Sequence, residues 1–337
     1  MKNISFFGQS HTGCVRTNNE DNFVLKQQWD EQHILAVVID GVGGYEGGEV
    51  AADIAAHSIT EYLDNHSNGD CLELMKQAVI YANNRIYQER KIHYELSRMS
   101  CVLTAALIDL NAMRINMAHV GDTRLYQFTD GHIEKLSHDH SLVGYREEIG
   151  ELTEEEAMTH PNRNIISKDL GSILLQENNS YVEVASYPLD SNTQILLCSD
   201  GLCDMVHSKV MTRVLSLDSS VVDKVNELID CALQAGGRDN VTVIVVDIES
   251  DENLEESDNQ YSTCDEEQPS CVNSKGHHRN CRCPKLCVAL LIITAIVAGV
   301  ILYQNLNSGK APDEKISADT TLVAPADTIS CSDSLGQ

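Results

Sequence analysis

The chain has 337 residues, with 51 Asp or Glu against 24 Lys or Arg and a formal net charge of -27. A surface this negative lacks the basic stripe that neutralises phosphates, which argues against nucleic acid as a partner. An apolar fraction of 42% argues against wholesale disorder, and the length allows one large or two ordinary domains.

The chain opens without a basic segment leading into an apolar run, so no signal peptide is expected. Residues 22–26 and 33–39 then read as strands, each apolar or β-branched and closed by Gly, Asp or Asn. A helix is expected over 49–64, which places Val50, Ile54, Ile59 and Leu63 near one face, and a second over 72–96 carries Leu74, Met75, Ala78, Tyr81, Ala82 and Ile86. Further strands follow at 102–109, 113–120, 124–128, 132–136, 182–187, 193–198 and 241–247, with a third helix at 221–234. Tight turns at residues 110–112 and 129–131 argue antiparallel pairing, so the head, residues 1–250, reads as an α+β domain rather than a doubly wound parallel one.

Beyond residue 250 the chain changes character. Residues 251–267 hold 8 acids and no base, a solvated, self-repelling spacer for which a docking tail for basic partners is the alternative. Lys275, Arg279, Arg282 and Lys285 then reverse the sign ahead of the uncharged run 286–303. Its 18 residues span roughly 27 Å as a helix, close to a hydrocarbon core of about 30 Å. A membrane-spanning helix is the reading. The Ser/Thr/Asp/Ala-rich residues 304–337, read as a disordered extracytoplasmic tail, could not build a core around a buried helix. The basic flank then puts the head in the cytoplasm at the cell membrane, with 251–285 as linker.

The 12 cysteines do not form a secreted disulfide pattern. Cys14, Cys71, Cys101, Cys198, Cys203 and Cys231 are scattered through apolar segments as small hydrophobes. Cys264, Cys271, Cys281, Cys283 and Cys287 read as linker cysteines. Acylation of Cys281, Cys283 or Cys287, or a zinc knuckle with His277 and His278, are the alternatives.

The functional signal is a set of acids at strand ends. Asp40 closes the strand at 33–39, Asp122 follows that at 113–120, Asp200 follows that at 193–198, Asp239 precedes that at 241–247, and Glu20-Asp21 precedes that at 22–26. Any one Asp-Gly is an ordinary turn. Five such sites without matching bases need cations to hold them together, and carboxylate and carbonyl oxygens suit Mg2+ or Mn2+ better than zinc. Competing motifs fail: the glycines after Asp40 lack a G-K-[ST], and Ser199 lacks a G-x-S-x-G context.

Over residues 5–248 the chain resembles the metal-dependent Ser/Thr protein phosphatases of type 2C in their compact bacterial form. The resemblance rests on an ordered set: Arg16-x-x-Asn-Glu20-Asp21-Asn, Asp40-Gly-Val-Gly-Gly, His119-Val-Gly121-Asp122-Thr-Arg124, Asp139-His140-Ser141, His160-Pro161-x-Arg163-Asn164, Ser199-Asp200-Gly201 and Gly237-x-Asp239-Asn240. It implies a β-sandwich of two antiparallel sheets flanked by helix pairs (α-β-β-α), to which the C-terminal transmembrane helix is appended. It further implies two Mn2+ or Mg2+ ions and a weaker third. By matching positions, Asp40 would bridge the first two metals, with Asp200 and Asp239 completing one site and Glu20 and the Gly41 carbonyl serving the other. Asp122, with Asp200 and Asp204, would hold the third. Asp21 would order metal-bound water and Arg16 would hold the substrate phosphate. The implied activity is hydrolysis of phosphoserine and phosphothreonine in proteins by a metal-bridging water, opposing a Ser/Thr kinase. A catalytically inactive phosphoprotein-binding module and a hydrolase of small phosphoesters are the alternatives. The chain departs from the pattern at Val42, where eukaryotic members carry the His suggested as general acid, and at Ser167-Lys168-Asp169 in the expected flap, 137–171.

Overall fold

A computed structural model describes residues 3–42, 47–177 and 179–249. Ten strands lie in two antiparallel sheets. One has the order β2 (Asn22–Gln27), β3 (His33–Val42), β4 (Ser100–Asp109), β5 (Arg114–Val120), β8 (Glu183–Pro188). The other runs β1 (Asn3–His11), β10 (Val241–Glu249), β9 (Thr193–Cys198), β6 (Arg124–Thr129), β7 (His132–Lys135). The two expected hairpins form, β4 with β5 and β6 with β7, the second through Asp130 and Gly131 at φ 53 and 76.

The central strands read as continuous apolar runs because both their faces are covered. In β3, Leu35, Val37 and Ile39 face α1 (Gly48–Asn65) and α2 (Cys71–Ile92), while Ile34, Ala36 and Val38 face the other sheet. In β10, Ile244, Val246 and Ile248 meet them between the sheets, and Val241, Val243 and Val245 turn to α6 (Ser208–Leu215) and α7 (Val221–Gln234). Helix starts follow capping chemistry: Asp70 accepts from the Glu73 amide and Ser220 from the Asp223 amide.

Strand β1 is absent from the expected set. Its interior Gly8 interrupts the strand pattern; it lies opposite Ile244, and a Cβ there would crowd the Ile244 and Phe23 side chains at 3.0 and 3.1 Å. Four short helices were also not anticipated: α3 (Leu142–Glu148), α4 (Glu154–Met158), α5 (Asp200–Cys203) and α6. The helical pattern expected over 72–96 breaks at His93, whose extended backbone separates α2 from a 3-10 turn at Tyr94–Leu96. Cys101, Cys198 and Cys203 are buried as small hydrophobes, but Cys14 is exposed and Cys71 and Cys231 are partly so.

The linker 251–285, the apolar run 286–303 and the tail 304–337 lie outside the described residues. Among the described residues no helix is long and apolar enough to cross a membrane.

Candidate metal centre

Strand ends from both sheets converge at one end of the sandwich. Asp40 sits near the end of β3, opposite Val102 of β4, and Glu20-Asp21 enters beside it because Asn22 pairs with Ile39. Val120 ends β5, and Gly121 at φ 116 turns the chain so that Asp122 follows. From the second sheet, β9 runs through Ser199 into Asp200, the first residue of α5, and Asp239-Asn240 lead into neighbouring β10. Gly41 is required here by close approach: a Cβ would run into the Gly48 carbonyl and the Glu20 carbonyl.

Arg16, Glu20, Asp40, Gly41, Asp122, Asp200 and Asp239 line one cleft of about 190 Å³, together with Val42, Asn164, Ile166 and Asn240. The eighth anticipated residue, Asp21, stands behind the lining. Its Oδ2 accepts hydrogen bonds from the Ser199 hydroxyl at 2.8 Å and the Thr242 hydroxyl at 2.6 Å. The Arg16 guanidinium donates to Asp239 at 2.8 Å and is nearly half exposed. Asp204 lines an adjoining small cavity with Asp122 and Asp200, and its Oδ2 accepts from the Arg163 guanidinium at 2.7 Å.

The electrostatics of the cleft are those of anions short of cations. Burial, then the charges of Asp21, Asp200, Asp122 and Asp239, raise the Asp40 carboxyl well above its ordinary value. Asp200 rises likewise, through burial and then Asp122, Asp204 and Asp239. Asp122 is pushed up to about 7 by burial, Asp139 and Asp204. Asp21 reaches about 6 through burial, which outweighs its two hydroxyl donors. Among the described residues the Asp200 Oδ1 atom finds no hydrogen-bond partner, and it is buried. Such a group is costly to leave unmatched, and a divalent cation is the partner that suits it. The residues present therefore fit a divalent metal cofactor.

Several polar residues that hold this end together carried no role in the sequence reading. Asn240 accepts from the Glu20 amide at 2.9 Å and donates to the Thr12 and Asn18 carbonyls at 2.9 and 2.8 Å, clamping the loop that carries Arg16 and Glu20. Ser199 also accepts from the Thr242 amide, tying β9 to β10 behind Asp21. The available signal was a polar side chain at the mouth of an apolar strand. His119 is buried between the Thr104 hydroxyl at 2.9 Å and the His138 carbonyl at 3.1 Å, and burial lowers its pKa to about 4.

The sequence profile described as Protein phosphatase 2C matches residues 8–237. The chain belongs to that family. The serine/threonine phosphatase stp of Listeria welshimeri is 32% identical over 247 residues, covering 70% of this chain and 92% of that protein. The serine/threonine protein phosphatase PstP of Mycobacterium tuberculosis is 31% identical over 245 residues, 73% of this chain, and the match spans 45% of its length. The crystal structure of the M. tuberculosis phosphatase superposes with a TM-score of 0.65 at 30% identity, covering 74% of this chain and 100% of the other. The PstP catalytic domain in complex with 2 manganese ions gives 0.63 at 28% identity, covering 73% and 99%. The family is thus one of metal-dependent phosphatases, and the cleft of this member lies at the strand ends described above.

Proposed function

We propose that this phosphatase 2C member hydrolyses phosphoserine and phosphothreonine in proteins with Mn2+ or Mg2+. The observation that carries the reading is the convergence of Glu20, Asp40, Asp122, Asp200 and Asp239 with Arg16 in one cleft, with a buried, partnerless Asp200 oxygen among them. Asp40, Asp200 and Asp239 would hold one ion, Glu20 and the Gly41 carbonyl a second, with Asp40 shared, and Asp122 with Asp200 a weaker third.

Bound in the cleft, the ions supply Lewis acidity toward the phosphoryl oxygens and a nucleophile at neutral pH. The protein's own groups position the reaction. Arg16, half exposed and hydrogen-bonded to Asp239, moves onto the phosphoryl oxygens, where its planar fork matches two of them. Asp21, fixed through Oδ2 by Ser199 and Thr242, orients water at the floor of the cleft. Val42 stands at the mouth, and among the described residues that line the cleft there is no histidine; a metal-bound water or another side chain would protonate the leaving alkoxide. The flap supplies Asn164 and Ile166 to the cleft and is tied to α5 by Arg163 and Asp204.

The apolar run 286–303 with its basic flank supports a membrane-tethered enzyme, head in the cytoplasm, that opposes a Ser/Thr kinase. The test is phosphate release from a phosphothreonine peptide: release that depends on Mn2+ and stops with EDTA is the expected result. No release at any metal concentration would leave a phosphoprotein-binding module of the same fold.

A further inference from the structure

A second group of ligand atoms lies at the opposite end of β3 from Asp40. Seven residues of strand, roughly 23 Å, separate His33 from Asp40. His33 opens β3, Asp109 closes β4 directly opposite it, and Cys71 is the first residue of α2. His33, Cys71 and Asp109 each offer one ligand atom, and the three atoms lie within 4.8 Å of one another. We propose that these three residues form a zinc site, with solvent as the fourth ligand.

The geometry prepares each ligand. The His33 Nδ1 donates to Asp30 at 2.7 Å, which leaves the lone pair on Nε2, the nitrogen that faces Asp109. A carboxylate behind the far nitrogen of a ligating imidazole fixes its tautomer and raises its basicity. The Trp29 ring stands edge-on at 5.3 Å from His33, and its indole nitrogen donates to the Leu63 carbonyl, so the ring orientation of His33 is held from two sides. Asp109 divides its work: Oδ1 accepts from the Asn111 and Ala112 amides at 2.9 and 2.8 Å, and Oδ2 turns to His33 Nε2 at 3.7 Å. That distance is too long for a hydrogen bond and near the separation of two ligands on one tetrahedral ion. Sulfur, imidazole and one carboxylate form a donor set suited to zinc, whereas the catalytic cleft offers oxygen alone. On binding, the Cys71 thiol releases its proton to solvent, and thiolate plus carboxylate balance the dication.

The ion would tie the starts of β3 and α2 to the end of β4, on the side of the sheet away from the chemistry. The ordinary alternative is an Asp30–His33–Asp109 ion-pair chain that needs no metal.

The test uses the full chain, freed of metal, with Zn2+ titrated by calorimetry and Co2+ as an absorbing probe. Because other cysteines of the chain and the catalytic cleft can also take these ions, the readout is the difference between wild type and Cys71→Ser. Wild type is expected to bind one more zinc equivalent, to release one more proton and to show a stronger sulfur-to-cobalt charge-transfer band. Asp30→Asn, which leaves all three ligands in place, is expected to weaken that equivalent about 10- to 100-fold. Circular dichroism in EDTA checks that both variants fold. Equal stoichiometry and equal cobalt spectra in wild type and Cys71→Ser would overturn the proposal, as would Asp30→Asn binding at wild-type strength.

Discussion

Two groups of buried charge lie side by side and obey opposite rules. In the cleft, Asp40, Asp122 and Asp200 face one another, and each carboxyl is raised by burial and by its acidic neighbours. Next to it, Asp139 is as deeply buried, yet its carboxyl is held below the ordinary value. Arg124 donates to it at 3.0 and 2.7 Å and Lys135 at 3.3 Å, and these cations outweigh burial. Glu147 and Glu148 complete that network at 3.0 Å from Arg124 and 3.0 Å from Lys135. The comparison separates a buried acid that belongs to the scaffold from one kept for a ligand. The scaffold acid is hydrogen-bonded by its own cations, whereas among the described residues no Lys or Arg hydrogen-bonds Asp40, Asp122 or Asp200.

The sharpest way to break this distinction is Asp40→Asn. Turnover of a phosphothreonine peptide is expected to fall by at least about 10^3-fold, while the thermal midpoint in EDTA rises because one repelling charge is gone. Retained activity, or a lowered midpoint, would move Asp40 into the scaffold class. Arg124→Ala is the counterpart: it strands Asp139 and Glu147 and should cost about 3 to 5 kcal/mol in urea unfolding, with or without Mn2+.

The pH dependence sharpens the same contrast. Between the ordinary carboxylate value of 3.8 and the folded values of about 6 for Asp21 and about 7 for Asp122, the folded protein binds more protons than the unfolded chain. Stability of the metal-free protein therefore falls as pH rises from about 4 to about 8, by at least about 2 kcal/mol. Saturating Mn2+ should flatten or reverse that slope in thermal melts. Asp139 has the opposite sign: its contribution is present at neutral pH and is lost as pH falls through its depressed folded value. The smallest effect is expected for Arg163→Ala, which frees Asp204 and one tether of the flap. It should cost about 1 kcal/mol or less in stability and raise KM severalfold with little change in kcat.

Much of this was legible in the residues. Nine strands and the three long helices follow from apolar runs and helical spacing, and the acids at strand ends marked the cleft before any coordinates. The misses share a cause. Strand β1 is held by its pairing with β10, Gly8 opposite Ile244, and α5 carries Gly201 where a Cβ would meet the Asn240 carbonyl, contacts between residues far apart in sequence. Asp204, offered by the resemblance as a third-site residue with Asp122 and Asp200, also accepts from Arg163, 41 positions away, a partner that no local spacing shows. The His33, Cys71 and Asp109 group has no local spacing at all, since sheet register and a helix start bring it together.

The sequence alone determined which residues could carry charge into the interior and which strands were buried on both faces, because hydrophobic period and residue type act locally. Only the tertiary structure decided which of the buried acids have cations. That depends on how two sheets stack their strand ends, which leaves Asp200 Oδ1 without a donor and gives Asp139 Arg124 and Lys135. The overall charge of -27 thus includes, besides surface acids and the acidic run 251–267, a few buried acids that the fold gathers without a basic partner. Unpaired carboxylates at that spacing repel one another, and a divalent ion relieves the repulsion.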